Sequence, residues 1–262
     1  AYTQVVRAMG ERPVTIRTFD MGADKVRHLP SPDDERNPFL GLRSIRLALR
    51  NLTMFRTQLR AILRASALGN VRVMFPLVST IMELRQAKMV LADMMEDLDE
   101  SGIPFNRDLP VGMMVEVPSA VIMIDHFVEE VDFLSIGTND LVQYTLAVDR
   151  SNKDVVSLYN PADPAVLKLI KMAVDPARRR SLPINCCGQM SGIPLYTMLL
   201  VGLGLRQLSV SPGALPEIKK VIRSVRMDHC EALAQRALSM ENARDIKSYL
   251  KEELKKAVPR MA

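Results

Sequence analysis

The chain has no tryptophan, 3 cysteines and 3 histidines in 262 residues, and aromatic residues make up only 5% of it. Each scarcity excludes something. Two of the cysteines, Cys186 and Cys187, are adjacent, which makes a poor disulfide framework, and no Cys/His spacing resembles a zinc site. A reducing, cytoplasmic setting is therefore expected. With so few aromatic rings and no basic stripe interleaved with them, nucleic acid is not an expected partner. The longest apolar runs, such as Tyr196 to Leu205, contain glycine and fall well short of the roughly 18 residues a membrane span needs, so no membrane partner is expected. The opening, Ala1-Tyr2-Thr3-Gln4, has neither an initiator methionine nor the basic and apolar regions of a signal peptide, and reads as the start of a fragment.

What remains is an ordinary globular composition, 48% hydrophobic and 25% charged, long enough to build a core without a metal or disulfide staple. The net charge of +5 comes from 35 basic and 30 acidic residues spread along the chain, which describes a solvated surface. Short runs of apolar and β-branched residues recur at Val14 to Phe19, Val71 to Phe75, Gly112 to Val117, Phe133 to Gly137, Ile184 to Gly188 and Gln207 to Val210. Such near-continuous apolar runs suit strands buried in a parallel sheet. Between them the spacing predicts helices. Thr80 to Asp99 opens with a Thr-x-x-Glu capping box and puts Ile81, Leu84, Leu91, Met94 and Leu98 on one face. A second helix starts at Asp163-Pro164 and is expected to stop before Asp175-Pro176, and a charged amphipathic helix closes the chain from Glu241 to Ala257.

Strands alternating with helices predict an α/β fold. Gly41 to Ile45 is read as a further short strand, for about seven where a closed (β/α)8 barrel has eight, and the first strand is expected to lie upstream of Ala1. A doubly wound sheet is the rival, but no G-x-G-x-x-G follows any strand. In a parallel barrel the chemistry sits where strands end. Those ends are polar here: Arg17 to Asp20 with Lys25 after it, Arg43, Glu116, Thr138-Asn139-Asp140, and Cys186-Cys187-Gly188-Gln189. Glu116 and Asp140 are oxygen ligands with no histidine nearby, a set that suits Mg²⁺, with Mn²⁺ the alternative, and leaves positions for water and a phosphorylated substrate. Arg17, Lys25, Arg43 and Arg150 supply the charge to hold an anion, Arg bidentately. Taken singly, each has a duller explanation. A strand-end carboxylate is most often a cap or surface ion pair, and a lone Cys187 most often an inert buried thiol. His28, His126 and His229 stand isolated, the Met94-Met95 and Met113-Met114 pairs read as core filling, and Arg178 to Arg180 sit where a helix C-terminus favours cations.

Several long segments add a resemblance: Ile16-Arg17-Thr18-Phe19-Asp20-Met21-Gly22-Ala23-Asp24-Lys25, Asn37 to Arg43 (NPFLGLR), Gln58 to Ser66 (QLRAILRAS), and Ser135 to Leu141 (SIGTNDL) running on to Val148-Asp149-Arg150. In the order they occur they resemble the C-terminal domain of the phosphoenolpyruvate-protein phosphotransferases, the enzymes I of the phosphotransferase system, from about Pro13 to Val225. The resemblance implies that residues 1–262 are one phosphoenolpyruvate-binding (β/α)8 TIM barrel, Mg²⁺-dependent, cytoplasmic and homodimeric. It implies Glu116 and Asp140 as metal ligands. Arg17, Lys25, Arg43, Asn139 and Arg150 are then substrate contacts, and Cys187 the proton donor to the methylene carbon of enolpyruvate. It further implies transfer of the phosphoryl group to a histidine on a separate N-terminal domain, release of pyruvate, and onward transfer to a phosphocarrier protein. None of the three histidines here lies in the family's acceptor motif, the arginine of the family's first barrel strand has no counterpart, and the usual Cys-Gly-Glu reads Cys187-Gly188-Gln189. Two other readings stay open: a barrel of the pyruvate phosphate dikinase or phosphoenolpyruvate synthase type, and a non-catalytic dimerisation or metabolite-sensing module.

Overall fold

Alternating sequence runs become alternating strands and helices in the computed structural model, which describes residues 1–21 and 37–259. The chain divides into two units, Ala1–Met114 with Glu130–Phe133, and Val115–Glu129 with Leu134–Ala262. The first carries α1 (Tyr2–Met9), β1 (Val14–Arg17), α2 (Ser44–Arg50), α3 (Leu52–Ser66), β2 (Val71–Phe75), α4 (Ile81–Glu100) and most of β3 (Val111–Val115). β1 pairs with β2 and β2 with β3, all parallel. The second carries α5 (Pro118–Ile122), α6 (Ile124–Phe127), most of β4 (Phe133–Gly137), α7 (Thr138–Leu146), α8 (Pro164–Arg179), β5 (Ile184–Cys187), α9 (Pro194–Gly202), β6 (Gln207–Leu208), α10 (Leu215–Arg223), α11 (Met227–Leu238) and α12 (Ala243–Ala257). Here β4 pairs with β5 and β5 with β6, again parallel. Within each unit the strands follow chain order with helical connections, so the fold is α/β of the (β/α)-barrel type, as the sequence pattern predicts.

The local reasons are those of the sequence. Thr80 Oγ1 accepts the Glu83 N–H at 3.3 Å while Glu83 Oε2 accepts the Thr80 N–H at 3.0 Å, a complete capping box. Leu84, Ala87, Leu91, Met94 and Leu98 of α4 are then buried. In the same unit Phe55 of α3 meets Phe75 of β2 edge to face, ring centroids 6.1 Å apart, a geometry worth about 0.5–1.5 kcal/mol beyond area. Gly112 admits the Phe133 ring, which a Cβ at that position would meet at 2.5 Å. Among the described residues no helix is long and apolar enough to cross a membrane.

Two expectations are corrected. Gly41 to Ile45 is not a regular strand: Arg43 alone is extended and makes a single β-bridge, and Ser44 already opens α2, whose Ser44, Leu47 and Ala48 recur at helical spacing and are buried with Ile45. Asp175-Pro176 does not end its helix either, since α8 runs through Pro176 to Arg179. An interior proline costs about 3 kcal/mol. In the last turn it removes one hydrogen bond, and the buried stripe Val166, Leu167, Ile170, Ala173, Val174 and Ala177 offsets that loss. The final helix starts at Ala243, capped by Asn242, whose Oδ1 accepts the Asp245 N–H at 2.9 Å.

α9 explains the apolar run from Tyr196: it is buried on most of its surface and packs on α10, α11 and α12. Gly202 lets it approach α11 so closely that a Cβ there would stand 1.9 Å from the Cys230 carbonyl oxygen. Backbone cannot give way as a flexible side chain does. Gly202→Ala is therefore expected to cost about 1–3 kcal/mol and lower the thermal midpoint by several degrees. An unchanged midpoint in calorimetry would show that α9 and α11 have room to separate.

Candidate functional site

In the second unit, three strand ends carry the polar residues. Glu116 directly follows β3 and is 3% exposed. β4 passes into α7 with no intervening loop, so Thr138, Asn139 and Asp140 form the first helical turn rather than a strand-end loop. Asp140 is also 3% exposed, and its charge is favoured by the partial positive end of the helix. Its Oδ1 stands 3.2 Å from Arg150 Nη2, an ion pair. Arg150 is held in turn by its own N–H, which donates to Oε1 of the buried Gln143 at 3.1 Å.

Asn139 ties two further segments to this turn. Its carbonyl accepts the Tyr159 hydroxyl at 3.2 Å, and its Oδ1 accepts the Gln189 N–H at 2.9 Å. Burial pushes the Tyr159 phenol above its ordinary range while neighbouring Arg150 pulls it down, so the phenol keeps its proton and donates at neutral pH. Thr138 Oγ1 donates to the Cys187 carbonyl at 3.3 Å. Gly188, at φ +103°, fits over the turn: a Cβ would lie 2.5 Å from Thr138 Oγ1. Asn139, Gly188 and Gln189, with Ile193, Ser209 and Ser211, line a solvent-open cavity of about 660 Å³.

The two adjacent cysteines have different surroundings. Cys186 is fully buried, and burial, then proximity to Cys187, pushes its thiol far above the usual range, which keeps it inert. Cys187 is only partly buried, with Sγ 3.1 Å from Ser135 Oγ and 3.5 Å from the Ile136 carbonyl oxygen.

The remaining candidates belong to the first unit. Arg17 is the last residue of β1, and Arg43 precedes α2 with its side chain 8% exposed. Asp20 joins them, Oδ2 at 3.2 Å from Arg17 Nη1 and Oδ1 at 2.9 Å from Arg43 Nη2. Phe39 lies under the Arg43 guanidinium at 5.6 Å from its ring centroid. Lys25 and His28 lie outside the described residues. The structure thus gathers Asn139, Asp140 and Arg150 in one unit and Arg17 and Arg43 around one carboxylate in the other. Sequence reasoning missed Asp20 as a bridge, and Tyr159, Gln143, Ser135 and Asn185 altogether; only Asp20, three positions past a strand-end arginine, carried a local signal.

Elsewhere the duller explanations apply. Arg179 and Arg180 pair with Asp125 and Glu129 on the surface, His126 is exposed, and His229 faces Glu253 at 3.1 Å. Met94, Met113 and Met114 are core. Among the described residues no three His, Cys, Asp or Glu side chains gather as a metal cluster. Glu116 and Asp140 are nevertheless buried carboxylates of the kind that suits Mg²⁺, which keeps several waters and takes one or two carboxylates plus substrate oxygens.

Charged and polar residues thus stand at the carboxyl ends of parallel strands, the end at which β/α folds bind and react. Residues 1–227 match the family described as PEP-utilising enzyme, PEP-binding domain, and the chain belongs to that family. It is 44% identical over 254 residues to a phosphoenolpyruvate-protein phosphotransferase of Haemophilus influenzae, covering 97% of this chain and 44% of the relative. Proteins of the same name from Geobacillus stearothermophilus and Bacillus subtilis are 43% and 41% identical, covering 96% and 97% of this chain and 43% and 45% of theirs. The chain spans less than half the length of these relatives.

The fit of Gly188 over Thr138 is testable. Gly188→Ala adds both a strained left-handed residue and a clash, together expected to cost about 1–3 kcal/mol. Hydrogen exchange at the Gln189 amide should accelerate in step, because the Asn139 acceptor is displaced. Native-rate exchange in the variant would show that the loop is held from elsewhere.

Proposed function

We propose that the chain is the phosphoenolpyruvate- and Mg²⁺-binding catalytic part of a cytoplasmic phosphoenolpyruvate-protein phosphotransferase. It passes the phosphoryl group of phosphoenolpyruvate to a histidine on a separate domain, releases pyruvate, and works as a homodimer within a relay that ends on a phosphocarrier protein. The observation that carries this reading is the first turn of α7, where buried Asp140 is ion-paired with Arg150 beside Asn139. On this reading Asp140 is the hard-cation ligand, Arg150 the guanidinium for phosphate and Asn139 the amide for the substrate.

Glu116 and Asp140 would hold the cation, which when bound supplies neutralising charge for the phosphoryl group and the enolate oxygen. Arg150 binds and orients the phosphate through its planar fork, and on the same reading Arg17, Lys25, Arg43 and Asn139 are further substrate contacts. Phosphoryl transfer asks little covalent chemistry of a protein and much positioning. The proton is another matter. Departure of the phosphoryl group leaves an enolate, and Cys187, partly open where Cys186 is sealed, is the group that can protonate its methylene carbon.

In the intact protein, calorimetric titration with phosphoenolpyruvate and Mg²⁺ should give saturable binding. Glu116→Gln or Asp140→Asn should weaken the Mg²⁺-dependent part by more than the roughly 10–100-fold that even an outer-shell loss costs a metal site. Cys187→Ala should keep that binding and lose roughly 10²–10⁴-fold in pyruvate formation. Binding with no pyruvate formed in the presence of a phosphoacceptor would identify a metabolite-sensing module instead.

A further inference from the structure

β4 and β5 run in register with Ser135 beside Asn185 and Gly137 beside Cys187. Strand alternation puts these four on one face of the pair, while Leu134, Ile136, Ile184 and Cys186 point the other way and are buried. On the polar face, Ser135 Oγ stands 2.5 Å from Asn185 Oδ1 and 3.1 Å from Cys187 Sγ. A hydroxyl has one proton and two lone pairs, and an amide oxygen only accepts. The shorter contact therefore takes the serine proton, and the serine oxygen meets the sulfur with a lone pair. The thiol S–H, which points to the Ile136 carbonyl at 3.5 Å, can then also be shared with the Ser135 oxygen.

We propose that Ser135, oriented by Asn185, is a positioning residue that aims the Cys187 thiol and serves it both before and after it gives up its proton. The proposal rests on the reading of Cys187 as proton donor. When the S–H bond breaks and its proton forms the new C–H bond of pyruvate, the electron pair stays on sulfur. Rotation about Cβ–Oγ then swings the serine proton from Asn185 to the thiolate, an acceptor that charge makes the stronger of the two. Cys187, partly exposed, recovers its proton from solvent.

A serine and an asparagine that merely satisfied each other on a sheet face would behave differently, because the two side chains would then act on the thiol in the same sense. Here their effects are opposite. Removing Ser135 takes a hydrogen-bond donor from the thiolate, whereas removing Asn185 frees the serine proton for it. The test is the rate of iodoacetamide alkylation at Cys187 in the intact protein at fixed mildly alkaline pH, located by peptide mass, alongside kcat and KM for pyruvate formation.

Ser135→Ala should slow both alkylation and kcat by about tenfold, the size of one hydrogen bond to a charged group, with KM nearly unchanged. Ser135→Thr should restore both, and Asn185→Ala should speed alkylation. Changes of the same sign in Ser135→Ala and Asn185→Ala, or none in either, would overturn the proposal. Pyruvate formation untouched by Cys187→Ala would overturn instead the donor reading beneath it, and the alkylation contrast tells the two failures apart.

Discussion

The seam between the first turn of α7 and the end of β5 is the constraint on which the candidate chemistry of the second unit depends. Thr138 donates to the Cys187 carbonyl, Asn139 accepts from the Gln189 amide, and Gly188 lies so close that no side chain fits between. Because β4 enters α7 without a loop, Asp140 is placed by the helix geometry itself and its neighbour Asn139 by the seam. A carboxylate held in this way loses little conformational freedom on meeting a cation or a guanidinium, and that entropy is what flexible side chains give up on binding.

The candidate arginines are held by acids rather than left to solvent. Asp20 spans Arg17 and Arg43, and Asp140 pairs with Arg150. The pairs differ in weight. Arg43 and Asp20 are both nearly buried, so breaking their pair takes a neutralising partner from a charge held in low dielectric, a costlier loss than at the surface. Arg17 is half exposed and its share of Asp20 is worth about 0–1 kcal/mol. Arg17 is accordingly the arginine that can turn toward a ligand at small cost, while Arg43 serves as a fixed charge.

Much of this was legible in the sequence, and the boundary follows a physical line. Strand runs, the Thr80 capping box and the strand-end positions of Glu116, Asn139 and Asp140 are encoded locally, by composition and spacing over a few residues. The errors arose where a local signal met a tertiary one: Pro176 reads as a helix stop, yet α8 carries a buried stripe past it. Ser135, Asn185, Tyr159 and Gln143 were invisible for a different reason. Their roles come from register and from contacts between segments distant in sequence, and a serine inside an apolar strand gives no hint of the residue it will face on the next one.

Adjacent cysteines show how far one period of a strand can separate two identical groups. Cys186 and Cys187 share a backbone, a strand and the same intrinsic thiol chemistry, but alternation turns the first into the apolar side and the second toward Ser135. Burial without a charge partner raises a thiol and silences it. The other is only partly buried and lies beside the Ser135 hydroxyl. A shift of β5 by one residue would exchange those environments. The β4–β5 register, with Gly137 opposite Cys187 and Ser135 opposite Asn185, therefore decides which of the two sulfurs is sealed and which is partly exposed.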